Sequence, residues 1–175
     1  LLNGPNLNMW GKWEPQIYGS QTFDDYLVVL KSLFPDYEMD YVQSNHEGVL
    51  IDVIQQAEGH YDGIVFNPGG YSHTSIALAD AVRCISVPVV EVHISNIYER
   101  ESYRRHSFVA EAAVASVVGK GLQGYADAVS IIADRYKWFS LWKILGVEFT
   151  ELFFLLQEMF EYYVFLVYHW DILVL

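Results

Sequence analysis

The sequence predicts an α/β domain in which a parallel sheet is covered by helices on both faces. Three observations carry that expectation. Apolar residues alternate along the chain between helical and strand-like spacing, the order expected of β-α-β units with right-handed crossovers. Gly63 to Asn67 is a short continuous apolar run, the pattern of a strand covered on both sides. Three apolar runs also stop at short polar segments bearing glycine or histidine: Leu2 to Asn8, Phe66 to Ser75 and Glu91 to Asn96. In open parallel sheets the ligand sits beyond the carboxyl ends of the strands, so the three segments predict one site.

The elements follow in order. Thr22 and Asp25 form a capping-box pattern, and Leu27, Leu30 and Phe34 then fall at helical spacing until Pro35, predicting a helix over 23–34. Met39 to Gln43 reads as a strand. Val49, Leu50, Val53, Ile54 and Ala57 mark a second helix ending near Gly59. After the strand at 63–67, Thr74 to Cys84 reads as helix, Pro88 to Ile94 and Ala112 to Val118 as strands, and Leu122 to Tyr136 as a closing helix.

Composition bounds the function. A chain of 175 residues, 53% apolar, holds one domain with a sizeable core plus an appendage. A net charge of −12 with only 10 basic residues argues against a nucleic-acid partner, whose phosphates need a Lys/Arg surface, while a small anion held by a few local arginines stays possible. Cys84 is the only cysteine, which excludes an internal disulfide and makes a reducing, cytoplasmic compartment the simpler expectation. It reads as a buried helix residue. No signal peptide is visible, and the absence of an initiator methionine suggests that Leu1 is not a natural start.

Taken singly, each polar segment has an ordinary alternative. Asn-Gly-Pro-Asn and Asn-Pro-Gly-Gly are common turns. His93, in an apolar strand beside Glu91, fits a satisfied core histidine. Arg100, Arg104 and Arg105 on a short helix fit a solvated face. His46, His60, His106 and His169 show no second partner in sequence and read as structural or exposed.

Taken together, the segments are specific. Leu-Asn-Gly-Pro-Asn-Leu-Asn at 2–8, Glu-Pro-Gln-Ile-Tyr-Gly at 14–19, Gln-Ser-Asn-His-Glu-Gly at 43–48, Asn-Pro-Gly-Gly-Tyr-Ser-His-Thr-Ser at 67–75 and Glu-Val-His-Ile-Ser-Asn at 91–96 stand in one order. With them, residues 2 to about 136 closely resemble the type II 3-dehydroquinate dehydratases of the shikimate pathway. The resemblance implies a flavodoxin-like five-stranded sheet of order 2-1-3-4-5, a trimer-based dodecamer, and no metal or cofactor. It also implies the substrate, 3-dehydroquinate, and the product, 3-dehydroshikimate.

Dehydrating a β-hydroxy ketone takes a base for the proton α to the carbonyl, stabilisation of the enolate, and an acid for the departing hydroxyl. The resemblance implies Tyr18 as base, His93 as acid oriented by Glu91, and Asn6 positioning the water that supports the enolate. It assigns Asn67 and the Ile94 and Ser95 segment to the substrate carboxylate, His73 and Arg104 to the ring hydroxyls, and Gly69 and Arg100 to the same binding set. Asp80 would approach a neighbouring subunit's site.

One residue departs from the family pattern. Gly-Lys-Arg-Glu-Pro is expected in the loop before the tyrosine, where the arginine favours the phenolate, and this chain reads Gly-Lys-Trp-Glu-Pro with Trp13 in that place. An unperturbed tyrosine titrates near about 10, so roughly one molecule in a thousand is phenolate at pH 7. Tryptophan supplies no charge to change that. Impaired turnover is the expectation unless Lys12 or Arg100 substitutes, and Trp10 adds a second bulky aromatic to the loop.

The tail from Trp138 to Leu175 has no counterpart in the family and is dense in aromatic residues. Phe149, Leu152, Phe153, Leu156, Phe160 and Tyr163 share one helical face, and burial in an interface is expected. Glu148, Glu151, Glu158, Glu161 and Asp171 interrupt every stretch long enough to span a membrane. The expected organisation is a dehydroquinase-like domain at 1–137, an aromatic helical extension or connector at 138–170, and a segment at 171–175 that either restores the central first strand, as in a circular permutation, or ends an extension packed on the surface or between subunits with the first strand truncated. Trp13 and the tail also admit an inactive, engineered scaffold or assembly protein. A flavin carrier or a receiver domain fits less well, because the first strand is not followed by a Ser/Thr-rich phosphate loop and Asn67 stands where a receiver needs aspartate.

Overall fold

The computed structural model describes residues 1–10 and 22–145, with side chains described through residue 136. The expectations for Trp13, Tyr18 and the segments 146–170 and 171–175 lie outside the described residues. The chain divides into two compact units, Leu1–Asp134 and Arg135–Leu175.

Five parallel strands form one sheet: β1 (Leu2–Asn3), β2 (Val42–Gln43), β3 (Ile64–Asn67), β4 (Val89–His93) and β5 (Ala115–Val118), ordered β2-β1-β3-β4-β5. This is the flavodoxin-like order expected, with the reversal of strand order beside β1. Short as it is, β1 is an interior strand between β2 and β3, with Leu2 opposite Val42 and Phe66, and Asn3 opposite Gln43 and Asn67.

Alternation along the strands explains the two cores. Leu2, Ile64, Phe66 and Val89 point to one face, where α2 (Glu47–Gln56) supplies Leu50 and Ile54 and α3 (Ile76–Arg83) supplies Leu78 and Val82. Val65, Val90, Val92 and Val117 point to the other, against Phe23, Tyr26 and Leu30 of α1 (Phe23–Leu33) and Tyr125, Ala126 and Val129 of α4 (Gln123–Leu145). All four residues of β3 are buried, as a strand covered on both faces requires. Each large aliphatic side chain sequestered this way contributes about 1.5–3 kcal/mol. Among the described residues no helix is long and apolar enough to cross a membrane.

Most differences from expectation lie at element ends. The capping box at α1 is present, with Thr22 Oγ1 accepting from the Asp25 N–H and the Asp25 carboxylate accepting from the Thr22 N–H. In the Met39–Gln43 segment only Val42 and Gln43 pair, because β1 offers two residues to pair with. The helix expected from Thr74 starts at Ile76, since Ser75 caps it by accepting from the Leu78 N–H and Gly69–His73 forms a separate 3₁₀ turn. Strand β5 begins at Ala115 rather than 112, the preceding residues being held in turns on the Val109 carbonyl. Arg100 and Arg104 do not share a helix, because 97–99 and 102–104 are two distinct 3₁₀ turns. Cys84 is exposed rather than buried: Leu78, Ala81 and Val82 define the inward face of α3, and Cys84 at its C-cap falls on the other side.

Candidate active site

Three strand exits converge beyond the carboxyl edge of β1, β3 and β4. After β1 the chain turns through Gly4-Pro5-Asn6, and Gly4 donates its N–H to the Asn67 carbonyl at 2.7 Å. A side chain at Gly4 would put its Cβ 2.4 Å from the Pro68 carbonyl oxygen, so only glycine lets the β1 and β3 exits touch. Asn6 follows in the left-handed region at φ 67°, a conformation that asparagine tolerates better than most residues, and its N–H donates to Asn45 Oδ1 at 2.9 Å.

These exits enclose a cavity of about 270 Å³ lined by Asn6 from the first, by Asn67, Gly69 and His73 from the second, and by His93, Ile94 and Ser95 from the third. Arg100 and Arg104 close one side, with Leu7, Met9 and Trp10 also on the wall. Of the residues expected at the site, every one within the described residues except Glu91 and Asp80 lines this cavity. Glu91 stands one step behind it. Asp80 lies on the exposed side of α3, paired with Arg83 at 3.1 Å.

His93 and Glu91 project to the same side of β4, two residues apart. Glu91 is 0% exposed, and its Oε1 lies 3.1 Å from His93 Nε2. The contact falls short of a well-formed hydrogen bond, so it is a close pair set by position. Burial pushes the Glu91 carboxyl up, but His93 together with the hydroxyls of Ser107 and Ser116 outweighs it and holds the group below the usual carboxylate range. The site therefore contains a buried carboxylate facing one imidazole nitrogen.

His73 stacks on His93, with ring centres 5.9 Å apart and an interplanar angle of 16°. Its Nδ1 lies 2.7 Å from the His106 carbonyl, which only accepts, so Nδ1 carries the proton. Burial lowers the His73 pKa, with smaller contributions from His93 and Arg104, against the raising effect of the His106 bond. A neutral ring with its proton on Nδ1 leaves Nε2 as an acceptor, suited to a ligand hydroxyl. Arg104 Nε and Arg100 Nε lie 3.2 and 3.6 Å from the same Glu101 oxygen.

A second polar layer lies beneath. Tyr125, fully buried, donates its hydroxyl to Asn3 Oδ1 at 2.7 Å and accepts from Asn67 Nδ2 at 3.0 Å. Asn67 Oδ1 in turn accepts from the Gly69 N–H at 3.1 Å. Asn67 thus spends one amide proton and one lone pair on its support and keeps a second Nδ2 proton.

A family model described as Dehydroquinase class II matches residues 1–133. The chain belongs to this family. It is 50% identical over 138 residues to the 3-dehydroquinate dehydratase 1 of Corynebacterium efficiens, covering 78% of this chain and 91% of that protein. It is 49% identical over 131 residues to the catabolic 3-dehydroquinase 2 of Aspergillus flavus, covering 74% and 87%. Among solved structures, the type II dehydroquinase of Propionibacterium acnes superposes with a TM-score of 0.72 at 40% identity, covering 76% of this chain and 93% of that one.

The residues singled out in the sequence line this cavity, and those that support them were not singled out: Asn3, Tyr125, Ser107 and Ser116. The buried Asn3 sits in a motif already singled out, so its polarity inside a strand was an available signal. The other three carry none, because a tyrosine in an apolar helix and serines in a loop and an edge strand look ordinary.

Proposed function

We propose that the chain dehydrates 3-dehydroquinate to 3-dehydroshikimate through an enolate, with turnover reduced by Trp13. The observation that carries this is the His93–Glu91 pair at the cavity wall, an imidazole backed by a buried carboxylate. Tyr18, as phenolate, takes the proton α to the carbonyl, and the enolate forms with a water on Asn6 supporting its oxygen. His93 then gives a proton to the departing C1 hydroxyl, which leaves as water, while Glu91 offsets the charge that this acid carries beforehand. The proton left on Tyr18 returns to His93 through solvent, closing the cycle.

Binding follows from donors and acceptors around the cavity. The free Nδ2 proton of Asn67 and the Ile94 and Ser95 segment receive the carboxylate, Gly69 holds Asn67 in place, His73 accepts from a ring hydroxyl, and Arg104 and Arg100 supply the cation. Asp80 serves a neighbouring subunit in a trimer-based dodecamer. An inactive scaffold is the second reading, favoured by Trp13 and by the aromatic tail. Both are tested by following dehydroshikimate absorbance for this chain and for Trp13→Arg. The arginine variant is expected to gain at least about tenfold in kcat, since a neighbouring cation lowers a phenol's pKa by about 1–3. Equal, measurable rates in the two chains would refute the tryptophan argument, and no rate in either would favour the scaffold.

A further inference from the structure

We propose that Ser107 is a positioning residue for this site: its hydroxyl holds the Glu91 carboxylate against His93, and with the His106 carbonyl it makes one dipeptide step the common brace of both histidines. The inference rests on the assignment of His93 as acid and Glu91 as its partner. A carboxylate taken wholly out of water needs its oxygens hydrogen-bonded, or it binds a proton instead. Glu91 Oε1 accepts from Ser107 Oγ at 2.5 Å, and Oε2 accepts from Ser116 Oγ at 2.9 Å.

The two serines are not equivalent. Ser107 is 7% exposed, whereas Ser116 lies exposed on β5, where water replaces a lost hydroxyl. Ser107 Oγ also accepts the Ala110 N–H at 3.1 Å, which occupies a lone pair and directs its one proton to Glu91. One residue earlier, the His106 carbonyl accepts from His73 Nδ1 at 2.7 Å. The step is itself anchored, by Phe108 N–H on the Ser72 carbonyl at 2.9 Å and by the His106 ring 3.4 Å from Glu111. Two stacked rings that must present different nitrogens are thus set by adjacent residues of one loop.

The titratable and charged groups around Glu91 are His93 on β4, His73 on the turn after β3 and, beyond His73, Arg104 on the turn after β4. Losing the Ser107 bond raises the energy of every state with Glu91 ionised. Those with His93 charged and neutral rise alike, so the shift falls on Glu91: it takes a proton at higher pH, and the state with a charged His93 beside an ionised Glu91 is lost earlier on acidification.

The test compares Ser107→Ala, Ser107→Thr, Ser116→Ala and Glu91→Gln, in the full chain and with Trp13→Arg, by kcat and KM against pH and by ¹⁵N NMR of the imidazole nitrogens. Ser107→Ala is expected to lower kcat roughly tenfold, the scale of a hydrogen bond to a charged group, with KM little changed and the acidic limb moved to higher pH. Ser107→Thr restores the limb, and Ser116→Ala moves it in the same direction but less than Ser107→Ala does, since water replaces the exposed hydroxyl. In the spectra, Ser107→Ala shifts the His93 nitrogens and leaves the protonated Nδ1 of His73 in place, a readout that needs no turnover. Unmoved His93 signals, or a uniform loss of rate with an unmoved limb, overturn the brace while an impaired Glu91→Gln keeps the acid assignment. A Glu91→Gln variant at the parent rate overturns that assignment instead.

Discussion

Tyr125 has a single hydroxyl proton and two asparagine neighbours, and this asymmetry orders the floor of the site. The proton goes to Asn3 Oδ1, so Asn67 must turn its Nδ2 toward the tyrosine and its Oδ1 toward the Gly69 N–H. In Tyr125→Phe both amides lose a buried partner, an expected loss of about 1–3 kcal/mol in urea unfolding at pH 7–9. Burial pushes the phenol far above its ordinary value of about 10. Because the folded-state pKa is raised, the hydroxyl's contribution is fully present below pH ~10 and is lost as pH rises beyond it. The parent should therefore lose stability faster than the phenylalanine variant in alkali, and the gap between them should narrow. A gap constant from neutral pH to about pH 11 would contradict the buried neutral hydroxyl. His93 and Asn67 were legible in the sequence because each is polar at the end of an apolar run. Tyr125 was not, since its partners lie 58 and 122 residues away and nothing local marks its hydroxyl.

At the scale of elements, the site depends on how closely the exits of β1 and β3 approach. Gly4 is the contact point, and the atom facing it is backbone, which cannot swing aside as a side chain does. Gly4→Ala is expected to cost about 1–3 kcal/mol in unfolding and, by displacing Asn6 and Gly69, to lower kcat. Gly48 in α2 is the control, because a Cβ there meets nothing within 4 Å. Gly48→Ala should stabilise by about 0.5–1 kcal/mol and leave kcat unchanged. If both alanines behaved alike in the same urea titrations, close approach would not be the reason for Gly4. The same contrast explains what the sequence revealed about elements. Helix and strand types follow from periodicity, which is local. Their ends follow from pairing partners and caps, as Val42 and Ser75 illustrate, and the two arginine turns after β4 have no periodicity to read.

For the whole molecule, charge sets the terms on which an anionic substrate arrives. The chain carries −12, and the two arginines at the cavity share one Glu101 carboxylate, so the mouth offers little more than one net positive charge against a negative surround. Fields from distant carboxylates reach an approaching anion only when the Debye length is long, while Arg100 and Arg104 act within about 8–10 Å and persist at physiological salt. On the proposed dehydratase reading, kcat/KM should therefore rise as ionic strength increases from about 10 to about 150 mM, because screening removes repulsion before it weakens the local attraction. Glu101→Gln keeps a polar partner for both guanidinium groups but removes the opposing charge. It should raise kcat/KM roughly twofold at low salt, with the advantage shrinking as salt is added and kcat unchanged. Steady-state rates across a salt series decide it: a parent kcat/KM that falls monotonically with salt would mean that the arginines, not the net charge, govern encounter.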